Sequence, residues 1–113
     1  MEEKVPDMWL LEQVKHSDTE AFRILFERYQ PMLFRRMMYQ TGEKDLAHDL
    51  VQETFIRVWE HRAILRPQLS FAAYLLRISG NLAKDAFRYR SIRQQRANEV
   101  PMLQISEGDN PDE

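Results

Sequence analysis

The chain contains no cysteine and only three glycines in 113 residues. Without cysteine there are no disulfides and no thiolate metal sites, and the absence fits a reducing compartment. Three scattered histidines, His16, His48 and His61, do not make a zinc site in its place. So few glycines argue against a β-rich fold with many tight turns and against glycine-rich phosphate loops. No apolar run approaches the ~20 residues that span a bilayer. The opening MEEKVPDMW is acidic and has no apolar segment behind it, so it does not read as a secretion signal. Charged residues make up 30% and the mean hydropathy is −0.59. We therefore expect a cytoplasmic protein with no membrane insertion. At this length a single domain buries roughly two-thirds of its unfolded surface and needs no staple.

A catalytic constellation is missing too. Ser17, Ser70, Ser79, Ser91 and Ser106 sit at caps, on helical patterns or in the tail, with no nucleophile elbow. The Glu-x-x-His signature of helical metal sites does not occur. The expectation is a binding protein, not an enzyme, with no metal and no cofactor.

What the chain does have is charge sorted by position. Residues 1–20 hold two basic and six acidic residues, and residues 21–60 hold six of each. Residues 61–96 hold eight basic residues and one acidic, and residues 97–113 hold five acidic and none basic. The formal net charge of −2 hides this pattern. A cationic block of this density points to a polyanionic partner, although a solvated helix face would look the same by charge alone.

Periodicity predicts an all-α fold, a compact bundle of about four to five helices over residues 1–96, followed by an acidic linker or tail over 97–113. A short first helix follows Pro6, with Asp7 as its N-cap and Met8, Trp9, Leu10, Leu11 and Val14 as its apolar positions. Ser17 and Glu20 read as a capping box for a second helix bearing Phe22, Leu25, Phe26 and Tyr29. Pro31 should break or kink it, because its ring clashes with the preceding turn. The pattern resumes at Leu33, Phe34, Met37 and Met38 and stops at Gly42. The next helix, from Glu43 to about Arg62, places Ala47, Leu50, Val51, Phe55 and Val58 on one stripe. After a connector over 63–70, capped by Ser70, a long amphipathic helix carries Phe71, Tyr74, Leu75, Ile78, Leu82, Ala86 and Tyr89.

Two faces are left over. Asp49, Gln52, Glu53 and Glu60 surround Ile56 on the outer side of the third helix. An apolar anchor with a polar rim suits protein docking, and a solvated face with a Glu53–Arg57 pair is the plain alternative. On the last helix Arg77, Asn81, Lys84 and Arg88 fall at relative positions 0, 4, 7 and 11, one stripe, with Arg90, Arg93 and Arg96 beyond. Cations for phosphates, an amide that can read a base edge and interleaved aromatics such as Phe87 suit a single nucleic-acid strand. A small helical adaptor whose basic helix binds an acidic protein is the competing reading.

Three blocks carry a resemblance: DTEAFRILFERYQPMLFR, AHDLVQETFIRVWEHR and FAAYLLRISGNLAKDAFR, in this order. Together they resemble region two of the extracytoplasmic-function (ECF) sigma factors, bacterial promoter-recognition subunits of RNA polymerase, over about residues 18–96. The resemblance implies that the helix containing DLVQETF docks on the clamp helices of the polymerase beta-prime subunit. By position this assigns Asp49, Gln52, Glu53 and Ile56. It implies that the connector and the last helix recognise and help melt the minus-ten element, holding bases of the non-template strand. That assigns the connector 63–70 with Ile78, Asn81, Lys84, Asp85 and Arg88, to which charge alone adds Arg62, Arg66, Arg77 and Arg90. It also implies an anti-sigma protein as a further partner, and a second, helix-turn-helix domain that this chain does not include. The chain departs from the family pattern at three places. His48 stands where Glu is usual, Tyr74 where Trp is usual, and Ser79-Gly80 where Ala-Arg is commoner.

Overall fold

The computed structural model describes residues 4–99 as four helices: α1 (Asp7–Lys15), α2 (Thr19–Thr41), α3 (Lys44–Glu60) and α4 (Phe71–Glu99). A single 3-10 turn, Arg62–Ile64, opens the connector between α3 and α4. The residues 100–113 of the expected acidic tail lie outside this range. No described helix is long and apolar enough to cross a membrane.

The helix starts differ from the sequence reading in two places. The N-cap of α1 is Pro6, whose carbonyl accepts from the Leu10 amide, and Asp7 is already helical. Asp7 instead accepts from Arg28 at 2.6 Å and from the Tyr29 hydroxyl, tying α1 to α2. The Asp7 and Arg28 side chains are only 30% and 18% exposed, so this pair is screened less than the surface pairs. Burial, and then the hydrogen bond to Asp7, push the Tyr29 hydroxyl up to about 12. At the next start the cap is Asp18, not Ser17. The Asp18 carboxylate accepts from the Glu20 and Ala21 amides at 3.0 and 3.1 Å. Ser17 is held at φ +70°, closing the turn after α1, and Glu20 is taken up by Arg23, which lowers its pKa.

Pro31 does not interrupt α2, which runs through it from Thr19 to Thr41. The missing amide and the ring clash together cost about 3 kcal/mol. Leu25 before the proline and Leu33 and Met37 after it are fully buried, each contributing roughly 1.5–3 kcal/mol, and that packing holds the helix continuous. Gly42 then ends α2 as expected: it sits at φ +70° and its amide donates to the Met38 carbonyl at 2.8 Å.

The core forms where the α-helical stripes meet. Phe22 packs on Trp59 and Phe55, Phe26 on Phe55, and Phe34 stacks on His48 at 4.5 Å, so α3 runs antiparallel to α2. Ala47, Leu50, Val51, Phe55 and Val58 are buried, as their spacing required. On α4, Phe71 and Leu75 are buried, with Phe71 edge-on to Tyr29 at 5.3 Å. Further along, the buried residues are the small ones, Ser79 and Ala83, while Ile78, Leu82, Ala86 and Tyr89 are half-buried. Ser79 is satisfied by donating to the Leu76 carbonyl at 3.3 Å. From Ser91 to Arg96 every residue of α4 is exposed, so its end projects from the bundle.

Candidate functional site

The outer face of α3 is open, as its period required. Asp49, Gln52, Ile56 and Glu60 are exposed, and Ile56 shows 48% of its surface. Glu53 is half-buried and accepts from Arg57 at 3.2 Å. That pair is exposed enough to contribute only a few tenths of a kcal/mol, so the face is not held shut by its own contacts. His48 is exposed and stacks on Phe34, with 28° between the rings.

The nine residues assigned to DNA do not behave alike. Arg77, Asn81, Lys84 and Arg88 are exposed on one stripe of α4, as expected. Arg88 lies 3.6 Å from Asp85, a surface pair that opens at little cost. Arg66 is exposed on the connector. Ile78 is half-buried and packs on the core, so it offers only an edge to a ligand.

Arg62 and Arg90 are engaged within the fold. Arg62 donates to Ser17 Oγ at 2.9 Å and to the Trp59 carbonyl at 2.8 Å, with its guanidinium 4.2 Å over the Trp59 ring. It pins the α3–α4 connector to the α1–α2 turn. Arg90 forks onto the Glu43 carboxylate at 2.7 and 3.1 Å, tying α4 to the start of α3 just before its projecting end.

The connector forms a feature that its sequence did not announce. Ser70 caps α4 as expected, accepting from the Ala73 amide at 3.1 Å. Before it, Leu65 turns inward and is buried, while Ile64 and Leu69 stand out at 67% and 56% exposed. Together with α4 this opens a groove of about 750 Å³. Leu11, Leu65 and Phe71 form its buried floor, Tyr74 and Leu69 its sides, and Arg66 and Arg77 its charged rim. Ile64 and Leu69 were not singled out from sequence, because a segment without period gives no signal of which apolar residue turns inward. Phe87, the aromatic off the apolar stripe, is 37% exposed, with Arg90 5.8 Å from its ring.

This geometry has a counterpart. Residues 25–93 match the model of Sigma-70 region 2. The chain belongs to the sigma-70 region 2 family. Its curated relatives are of the ECF group that the three sequence blocks resembled. It is 32% identical over 87 residues to "ECF RNA polymerase sigma factor BldN" of Streptomyces coelicolor, covering 76% of this chain and 33% of the relative. It is 33% identical over 85 residues to "ECF RNA polymerase sigma-E factor" of Haemophilus influenzae, covering 75% and 44% respectively. The region 2 match thus spans a third to under half of these relatives. Among solved structures, the NMR complex of an engineered region 2 of sigmaE with GTAAAA superposes with a TM-score of 0.73 at 30% identity. That likeness covers 88% of this chain and 100% of the other.

Of the three departures from the family pattern, the two on α4 acquire structural meaning here. Ser79 is a fully buried position where only a small side chain fits, so serine for alanine changes little. Tyr74 keeps an aromatic wall on the groove. Gly80 leaves open space, since a Cβ placed there meets no atom within 4 Å.

Proposed function

We propose that this region 2 domain docks on core RNA polymerase through the Asp49–Gln52–Glu53–Ile56 face of α3 and takes the melted non-template strand of the minus-ten element along α4. The observation that carries the DNA half is the groove between the connector and α4. It has an apolar and aromatic floor, two arginines at its rim, and a volume within the range of ligand sites. An unstacked base fits such a recess by stacking, while phosphates follow Arg77, Lys84 and Arg88. Asn81, exposed between these cations, carries an amide that can both donate to and accept from a base edge. The related sigmaE region in complex with GTAAAA supports the same reading. The domain contributes binding energy and selectivity and performs no chemistry of its own. This role is cytoplasmic, and an inhibitory anti-sigma protein would act by covering these same two faces.

The test is a titration of labelled single-stranded hexanucleotides, GTAAAA and its single-base variants, against the domain. Asn81→Ala should flatten the preference at one base position. Lys84→Ala should weaken every sequence alike and lower the salt slope by roughly 0.7. Equal losses across sequences for Asn81→Ala would remove its reading role. In parallel, Gln52→Ala with Ile56→Asp should abolish capture by core RNA polymerase and leave hexanucleotide binding intact. Normal capture by that double variant would reject the docking face.

A further inference from the structure

A second cationic surface lies on α2, in a stretch whose charges balance when counted along the chain. Arg35, Arg36 and Tyr39 are all exposed, Tyr39 to 89%. Residues three and four apart share one side of a helix, so both arginines neighbour the tyrosine. The other arginines of α2 have partners: Arg23 bridges Glu20 and Glu27, and Arg28 holds Asp7. Among the described residues, Arg35, Arg36 and the Tyr39 hydroxyl have no hydrogen-bond or ion-pair partner. Adjacent uncompensated cations repel, and a tyrosine in open water buries almost nothing. No hydrogen bond or ion pair of the described fold uses the polar groups of this trio.

We propose that this face of α2 holds phosphates of the duplex DNA that adjoins the single strand on α4. The inference rests on the reading that α4 and the groove bind that strand. Two features favour duplex backbone as the occupant. First, α2 and α4 run side by side: Tyr29 meets Phe71 at one end, and Glu43, just past α2, meets Arg90 at the other. Arg35, Arg36 and Tyr39 lie toward the Glu43–Arg90 end, so DNA that runs off the α4 stripe past Arg88 leaves beside this part of α2. Second, the stripe from Arg77 to Arg88 is about 16 Å long, enough for about five nucleotides at 3.4 Å each. Beyond so short a melted segment the DNA is duplex, with twice the charge density of one strand. The recess that suits an unstacked base is lined by the connector and α4, not by α2. Guanidinium forks and a phenolic hydroxyl are donors that fit phosphate oxygens without reading sequence.

The experiment measures anisotropy with two probes, the GTAAAA hexanucleotide and the same hexanucleotide joined to a 20-base-pair duplex arm. Wild type is compared with Arg35→Ala/Arg36→Ala. On the armed probe the variant should lose about 1.8 from its salt slope, so that wild type loses about 12-fold more affinity between 50 and 200 mM salt. On the bare hexanucleotide the two proteins should titrate alike. An unchanged slope on the armed probe, with wild type binding both, overturns the inference alone. An equal drop on the hexanucleotide assigns the surface to the single strand and overturns the duplex contact. Loss of core polymerase capture with DNA slopes unchanged makes it a protein contact and overturns it as well. If wild type binds neither probe, the DNA reading of α4 fails with it. Circular dichroism confirms the fold of the variant, whose changed residues are all exposed.

Discussion

Replacing Gly80 by alanine separates two explanations for a glycine inside a 29-residue helix. A glycine can be required because something packs against the bare backbone, or it can be tolerated at a cost. The structure favours tolerance. Gly80 does not have positive φ, and a Cβ built on it meets no protein atom within 4 Å. The variant should therefore gain the full propensity difference of about 0.8–1.0 kcal/mol. For a domain near 100 residues this raises Tm by about 4–8 °C. Gly42→Ala is the matched control with opposite sign. Gly42 also has free space around a Cβ, but its φ of +70° costs a side-chain-bearing residue about 1–2 kcal/mol. Thermal unfolding followed by circular dichroism reads both. A fall in Tm for Gly80→Ala, or equal shifts for the two variants, would refute the reasoning. Residue 80 neighbours Arg77 and Lys84 at helical spacing, so hexanucleotide binding is measured on the same sample and should stay within about twofold. A tenfold loss with the stability gain intact would mean that DNA, not the protein, requires the glycine.

Two further predictions concern protons and charge. Tyr29 has its folded pKa raised to about 12 from 10.0, so the unfolded chain ionises first as pH rises. Its contribution to stability is complete below pH 10 and should fade between about pH 10 and 12, and Tyr29→Phe should flatten that part of a denaturation-midpoint profile. If wild type and Tyr29→Phe lose stability in parallel there, the Tyr29 hydroxyl is not raised by folding. Deleting residues 97–113 removes five acidic residues and no basic ones. Hexanucleotide affinity should rise at 10 mM salt and converge with that of the full chain at 1 M, where the screening length falls from about 30 to 3 Å. Unchanged affinity at low salt would show that the acidic end does not shield α4.

The parts of the fold that were legible in sequence are those set by local period. Buried Leu50, Val51, Phe55 and Val58 and exposed Ile56 followed from 3.6-residue spacing, and so did the Arg77–Arg88 stripe. Spacing identifies the face that turns inward but not the residue that meets it. Ser79 and Ala83 carry no hydrophobic signal, yet they are buried where α4 packs closely. The α2 cap was misplaced by one residue because Ser17, Asp18 and Thr19 are all good capping residues, and the turn that picks among them depends on Ser17 adopting positive φ. Pro31 was read by its local cost alone, and tertiary packing outweighed that cost.

The same limit governs the reading of charge, and there it bears on function. Counted along the chain, residues 61–96 look strongly cationic and residues 21–60 neutral. In the folded domain Arg62 donates to Ser17 and Trp59, and Arg90 forks onto Glu43. Arg90 reaches a partner 47 residues away, a separation at which no spacing rule gives warning. A guanidinium already forked onto a carboxylate must give up that pair before it can hold a phosphate, so it contributes less than a free one by the small worth of a surface pair. Meanwhile Arg35 and Arg36, cancelled on paper by Glu43, Asp45 and Asp49, make no ion pair among the described residues. The field a polyanion meets is set by which charges are left uncompensated in three dimensions. By that measure the cationic surface is split between α4 with Arg66 and the outer face of α2, an arrangement that suits DNA passing from melted strand to duplex across the domain.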